Sequence, residues 1–408
     1  MPSAAAIDAR VGRLVAPRGP QGRRHVGGAA ARSLRCAGER RGRRSFNNNN
    51  DDDNALLLCG RRTLWSTLGR GDRSRLSRSR ATAALGETVL FKKANVGADY
   101  FESAENKEHW DALADVLSEK LGIEVSSPRI QHYYLPVYLW IKSKMGEHKR
   151  SSSSPLCVGL SAPQGCGKTT LVTAFEELFE TEGLSCVSMS LDDFYLTRSD
   201  QVDLAETHAD NDLLQVRGNA GTHDVDLAMR LIRGVKTPAT SDAPAVRVPC
   251  YDKTAFEGKG DRHDESKWRS YDPSKVDVVL YEGWMQGFTA VEDPPSTIHA
   301  GLPIVNDFLK GYSEMWSLMD IWLVIQVKEL DCIYKWRLQA ETAMKEQFGQ
   351  DKGMSDEEVK AFVDKYIPAY KAYLPELYDE SKHVENLGCE KNEDVFMFEV
   401  DATRSPVA

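Results

Sequence analysis

Leu156-Cys157-Val158-Gly159-Leu160-Ser161-Ala162-Pro163-Gln164-Gly165-Cys166-Gly167-Lys168-Thr169-Thr170 is the stretch on which the reading of the whole chain turns. A short run of apolar and small residues reads as a buried strand. The glycines that follow form a loop, and Leu171–Glu182 continues with helical apolar spacing until Gly183 stops it. Strand, glycine loop and helix in that order make a phosphate cradle. Backbone N–H groups at a helix N-terminus attract anions, a lysine at the loop's end reaches the β- and γ-phosphates, and the hydroxyl after it ligates Mg²⁺. Gly165, Cys166, Gly167, Lys168, Thr169 and Thr170 are therefore expected to hold a nucleotide, with Thr169 on the metal. Ala162 stands where the strict pattern has glycine, and its single methyl is the smallest possible departure. A glycine-rich turn that merely carries Lys and Thr is the plainer alternative, and the order of elements argues against it.

Working outward, apolar segments of strand length recur at Ser185–Leu191, Asp277–Tyr281, Asp320–Val327 and Val395–Val400. Three of them end in chemistry: Asp192, Asp193, Phe194 and Tyr195 follow the first, Glu282, Gly283 and Trp284 the second, and a charged helix, Ile333–Gln347, the third. Glu105–Leu121 and Pro128–Lys144 carry helical spacing ahead of the first core strand, with Tyr133, Tyr134, Tyr138 and Trp140 expected in the core. Strands alternating with helices, with polar residues at the strands' carboxyl ends, predict an α/β fold. Its expected form is a doubly wound, mostly parallel sheet with helices on both faces, helical insertions and a lid, the ligand crevice lying at those ends.

Charge divides the 408 residues unevenly. The first 80 hold 18 Arg and no Lys against 6 acidic residues, a balance of +12, so the remainder carries −21 of a net −9. An Arg-rich, acid-poor start without an apolar core reads as an organelle transit peptide over residues 1–82, disordered, ahead of a phosphate-loop domain over residues 83–408 with an N-terminal helical extension. Composition alone leaves plastid and mitochondrion open, and a nucleic-acid-binding tail is the competing reading of the arginines. The acidic remainder argues against nucleic acid as the main partner. No apolar run reaches 18 residues, so a soluble chain without a membrane span is expected. Eight cysteines, at 36, 59, 157, 166, 186, 250, 332 and 389, form no C-x-x-C pair, which argues against zinc sites and a disulfide framework. Cys166 lies where Lys168 and helix amides could lower its pKa and make it oxidisable, although a small loop residue is the blander reading.

Phosphoryl transfer to a hydroxyl needs a phosphate cradle, a carboxylate for Mg²⁺, a base at the acceptor and cations that follow the moving charge. Lys168 serves the first. Glu282, closing an apolar strand, is the candidate for the metal. Either Asp192 or Asp193 can take the acceptor's proton while the other caps or orients. Leu214–Asp224, L-Q-V-R-G-N-A-G-T-H-D, and Pro249–Arg262 are glycine-containing loops rich in polar side chains. They supply Arg217, Asp224, Tyr251, Lys253 and Arg262, with Asp193 and Tyr195, as candidate acceptor contacts, and Arg217 suits a small carboxylate best. His223 and His263 rank below Asp192 as bases. Arg337 is the candidate lid cation, with Lys335 and Lys345 on the same charged helix.

Six segments together, G-L-S-A-P-Q-G-C-G-K-T-T, S-L-D-D-F-Y-L-T, R-G-N-A-G-T-H-D, Y-D-K-T-A, Y-E-G-W-M-Q-G-F and W-R-L-Q-A-E, resemble the plant and algal D-glycerate 3-kinase family over about Glu87 to Pro406. More loosely the chain resembles the uridine kinase, phosphoribulokinase and pantothenate kinase group of P-loop kinases. The resemblance implies a P-loop NTPase fold and a base in D-x-F-Y that falls on Asp192. It further implies a Walker-B-like acid at Glu282, a mobile lid arginine at Arg337, ATP and Mg²⁺ as cofactors, and D-glycerate as acceptor. By the same implication the product is 3-phosphoglycerate, the place is the closing step of photorespiration in the chloroplast, and the working unit is a monomer. Two positions depart from the family pattern: Cys250 replaces an expected arginine, for which Arg247 is a possible substitute, and Gln286 replaces a common leucine. A related kinase acting on another hydroxyl, or a P-loop ATPase switch, is the alternative function.

Overall fold

The computed structural model describes residues 89–237, 244–292, 296–348 and 354–407. The Arg-rich leader read over residues 1–82 lies outside them.

The chain enters the core at β1 (Leu156–Ser161), turns through the glycine loop into the helix Lys168–Thr181, and returns as β2 (Cys186–Ser190). A long excursion follows, containing the helices Arg198–Thr207 and Val225–Lys236 and two small antiparallel pairs. β3 (Val246–Val248) pairs with β6 (Arg269–Tyr271), and β4 (Tyr251–Asp252) with β5 (Asp261–Arg262). β7 (Val278–Gly283), β8 (Ile321–Val327) and β9 (Val395–Val400) complete a five-stranded sheet in the order β2-β7-β1-β8-β9, every pairing parallel. The fold is α/β and doubly wound, as the alternation of segments predicts. The short antiparallel pairs were not legible. Their strands are two or three residues long, inside a stretch that reads as loop.

Successive strand residues face opposite sides of the sheet, and the two sides carry separate cores. Leu156, Val158 and Leu160 of β1 pack with the helices Ala104–Leu121 and Leu135–Ser151 and with Leu171, Phe175 and Phe179 of the helix after the glycine loop. Cys157 faces the other way, towards Tyr281, Trp322, Ile232 and the aromatic helix Ile367–Leu377. Tyr133, Tyr134, Tyr138 and Trp140 are all buried, as expected. The segment Pro128–Lys144 is helical, as expected, with a wide π-turn at Ile130–Tyr134 running straight into the α-helix Leu135–Ser151. Among the described residues no helix is long and apolar enough to cross a membrane.

Two carboxylates fix the feet of the strands. Asp277, just before β7, accepts from the Ser185 N–H at 2.9 Å and pairs with Lys149 at 2.8 Å. Asp320, just before β8, accepts from the Cys157 N–H at 2.7 Å and pairs with Lys236 at 2.7 Å. Gly159 makes room for the indole of Trp322 on the neighbouring strand. A Cβ there would lie 2.6 Å from a ring carbon. Gly159→Ala is therefore expected to destabilise the protein by about 1–3 kcal/mol through overpacking, although alanine suits a strand better than glycine. Chemical denaturation of the variant checks this, and an unchanged midpoint would contradict it.

Candidate active site

Parallel register places three chemical groups on one rim. Leu160 of β1 and Ser190 of β2 both pair with Glu282 of β7, so the glycine loop, the Asp192 turn and the Glu282 carboxylate leave the sheet at the same level. Gly165 and Gly167 have φ of +78° and +100°, which a side chain would resist. At Gly165 a Cβ would also lie 2.6 Å from Cβ of Trp336. The loop is braced from outside: the Gln164 N–H donates to the Tyr370 hydroxyl at 2.9 Å, and Arg404 donates to the Gly165 carbonyl at 2.6 Å. Lys168 folds back to donate to the Pro163 carbonyl at 3.3 Å.

Glu282 is close enough to Lys168 and Asp192 for their charges to act on it, and Oε2 is buried without a hydrogen-bond partner among the described residues. Burial raises its carboxyl above the usual range, against the pull of Lys168. An orphaned carboxylate oxygen beside the phosphate-loop lysine fits a divalent cation. Mg²⁺ on a nucleotide takes most of its ligands from phosphate and water, so one protein carboxylate and one hydroxyl suffice.

The two adjacent aspartates have different surroundings. Asp193 accepts from the Ser190 N–H at 3.1 Å in a capping box and pairs with Arg269 at 3.1 Å. Burial raises its carboxyl despite the arginine. Asp192 lies 3.1 Å from the Lys253 ammonium and accepts from the Tyr195 hydroxyl. Burial would raise Asp192, yet the charge and hydrogen bond of Lys253, together with the Tyr195 hydroxyl, outweigh it and hold the carboxyl below its ordinary value, so it is ionised near neutrality. Of the pair, Asp192 has the geometry of a base and Asp193 that of a cap.

Several expected acceptor contacts are built into scaffolding. Arg262 donates twice to the Tyr195 carbonyl, at 2.8 and 3.2 Å, and pairs with Asp224 at 3.1 Å. Asp224 also caps the helix Val225–Lys236. Arg217 donates to the Gly258 carbonyl at 2.8 Å and the Lys253 carbonyl at 3.4 Å, and lies over the Tyr251 ring at 5.5 Å. It thus holds the loop that carries Lys253. Arg337 pairs with the buried Glu341 and lies over Phe362 at 4.9 Å, docked in the helix Asp331–Phe348. The charges of Asp192, Arg217, Lys253 and Arg337 all act on the buried Tyr366 hydroxyl, which brings these groups together around that residue.

One expectation is corrected, and of the two readings of Cys166 the small loop residue holds. Arg247 does not replace the arginine missing at Cys250, because its side chain turns to Glu265 in the turn between β5 and β6. The Cys166 thiol is 3% exposed, and burial raises its pKa despite Lys168, so it is not an activated thiolate. Gln286, the other departure, is fully buried, and neither amide atom finds a protein partner among the described residues.

Arg404, Tyr366 and Tyr370 lie beside these residues without a motif to announce them, whereas His223 lies within the R-G-N-A-G-T-H-D segment. Arg404 stacks on Trp336 at 5.1 Å and, with Tyr133, Tyr134, Gly167 and Thr170, lines a cavity beside the start of the loop helix. A cationic residue just past the carboxyl end of a core strand is the one signal the sequence offered for it.

Comparison with known proteins agrees with this geometry. The chain is 41% identical to a chloroplastic D-glycerate 3-kinase of Arabidopsis thaliana over 68% of its length, and it spans 61% of that protein. It is 39% identical to an uncharacterized kinase of Schizosaccharomyces pombe, covering 54% of this chain and 81% of the relative. A solved D-glycerate 3-kinase from Cryptococcus neoformans superposes with a TM-score of 0.60 at 30% identity, covering 67% of this chain and 97% of that one. No family model matches the sequence. Arg404→Ala is expected to raise the KM for ATP about tenfold, the scale of one charge-assisted hydrogen bond, and to leave the acceptor KM nearly unchanged. Steady-state kinetics against each substrate reads this, and an unaltered KM for ATP would remove Arg404 from the nucleotide site.

Proposed function

The chain belongs to the D-glycerate 3-kinase family, and from that membership we propose that it transfers the γ-phosphoryl of ATP to the primary hydroxyl of D-glycerate, giving 3-phosphoglycerate. The observation that carries the reading is the convergence of Lys168, Glu282 and an ionised Asp192 at the ends of three adjacent parallel strands.

In this reading the backbone of Gly165–Thr170 cradles the phosphates and Lys168 swings from the Pro163 carbonyl to the β- and γ-oxygens. Thr169 and Glu282 would hold Mg²⁺, which when bound neutralises charge on the transferring phosphate. Asp192 accepts the proton of the attacking hydroxyl, and Lys253, 3.1 Å away, keeps the carboxylate ionised until then. Arg217 acts by holding the Lys253 loop. Arg337 supplies cationic charge from the lid side of the cleft.

Residues 83–408 form the kinase unit, and the Arg-rich segment before it addresses the chain to the plastid stroma, where its product would rejoin carbon metabolism in photorespiration. The leader's composition and the plastid location in the plant relative's name support that address. Import of a leader-fused reporter into mitochondria would refute it.

ADP release with Mg-ATP and, separately, D-glycerate, uridine, pantothenate and a hexose tests the function. Turnover confined to D-glycerate is expected. Turnover only with another acceptor, or rapid hydrolysis with none, would overturn the reading. Asp192→Asn should lower turnover by about 10²–10⁴-fold with ATP affinity nearly intact, and near-normal turnover would exclude Asp192 as the base.

A further inference from the structure

His223 is 5% exposed, and its ring stacks on Tyr195 with centroids 4.7 Å apart at 22°. Nδ1 lies 2.9 Å from the Tyr312 hydroxyl. That oxygen already accepts from the Gly221 N–H at 3.1 Å and faces the N–H of His223 itself. With the Gly221 N–H donating to that oxygen and the His223 N–H turned towards it, the Tyr312 hydrogen is best placed to donate, and Nδ1 is the acceptor in reach. The imidazole consequently carries its proton on Nε2. This Nε2 is buried and has no hydrogen-bond partner among the described residues. A buried N–H with nothing to bond costs about 1–3 kcal/mol, and such an expense points to an oxygen that arrives with a ligand.

The placement identifies which ligand. The Tyr195 ring beneath His223 sends its hydroxyl to Asp192, and the Asp192 charge also acts on the imidazole. Tyr195, Tyr312 and Asp192 are thus the titratable groups around the ring. Burial pushes its pKa down to about 4 against the pull of Asp192, so the group is neutral where the protein works.

We propose that the Nε2–H of His223 donates a hydrogen bond to an oxygen of the hydroxy-acid acceptor, its 2-hydroxyl or its carboxylate, and so positions the substrate rather than exchanging a proton with it. The inference rests on the acceptor reading of the Asp192 cleft. It gives the segment Arg217–Asp224 a function: the turn closed by Gly221 and Thr222 presents one oriented, uncharged donor. A neutral donor holds an oxygen beside the anionic base without competing for its proton.

The test combines spectroscopy on the full chain with two variants. ¹⁵N imidazole spectra near neutral pH should show the Nε2–H tautomer of His223, shifted by D-glycerate and not by ATP alone. His223→Leu should raise the KM for D-glycerate about tenfold with little change in the KM for ATP. His223→Gln, which keeps an amide N–H near the Nε2 position, should recover part of that loss. An Nδ1–H tautomer, a signal indifferent to acceptor, or an acceptor KM unchanged in His223→Leu would overturn the proposal. 3-Hydroxypropionate separates the two oxygens: if the leucine variant no longer weakens binding of this analogue, the 2-hydroxyl is the partner, and a persisting loss assigns the carboxylate. Wild-type turnover with D-glycerate is the control. Its absence would refute the functional reading, whereas the tautomer and its response to whichever acceptor is turned over would still decide the role of His223.

Discussion

Parallel strands have no freedom to slide once their feet are tied, and the feet of this sheet are tied by carboxylates. Asp277 holds the start of β7 to Ser185 ahead of β2, and Asp320 holds the start of β8 to Cys157 of β1. A slip of one residue would turn Leu156, Val158 and Leu160 towards the face that Cys157 now occupies and would bury neither core correctly. The same register sets the other ends of the strands level, which brings Glu282 beside both the glycine loop and the Asp192 turn. The site is a consequence of that alignment, with Lys168, Asp192 and Glu282 drawn from segments 24 and 90 residues apart in sequence.

Around this rim the chain uses charge in opposing ways. Asp193 and Asp192 are neighbours, yet one is pushed up by burial and the other held down by Lys253. The difference arises in the excursion between β2 and β7. Arg269 on β6 takes Asp193, while the β4–β5 hairpin, gripped by Arg217, delivers Lys253 to Asp192. Arg262 fixes the backbone of Tyr195 and thereby the two rings stacked there. Residues that a motif search would nominate for substrate contact therefore do much of their service by holding other residues still, as preorganised sites require.

Much of this was readable from the chain. The phosphate loop, the four further core strands and the acidic residues at their ends follow from periodicity and from the chemistry of strand termini. The buried aromatics before β1 follow from helical spacing. What escaped depends on long-range contact. No local pattern shows that Tyr370 will brace Gln164, that Arg404 will reach back to Gly165, or that Arg262 will be consumed by Tyr195 and Asp224. His223 looked like an ordinary loop histidine because its meaning lies in Tyr312, 89 residues away. At Cys166 the sequence neighbours alone would suggest an activated thiol, and tertiary burial instead supports the plainer reading of a small loop residue.

In the proposed reaction this rim directs phosphoryl transfer to the primary hydroxyl of a three-carbon hydroxy acid. A proton-coupled ³¹P spectrum of the product formed from Mg-ATP and D-glycerate should show a phosphomonoester resonance split by the two protons of a CH₂–O–P group. A resonance split by a single proton would place the phosphate on the secondary hydroxyl, and inorganic phosphate alone would mean that water is the acceptor; either result would refute the proposed transfer.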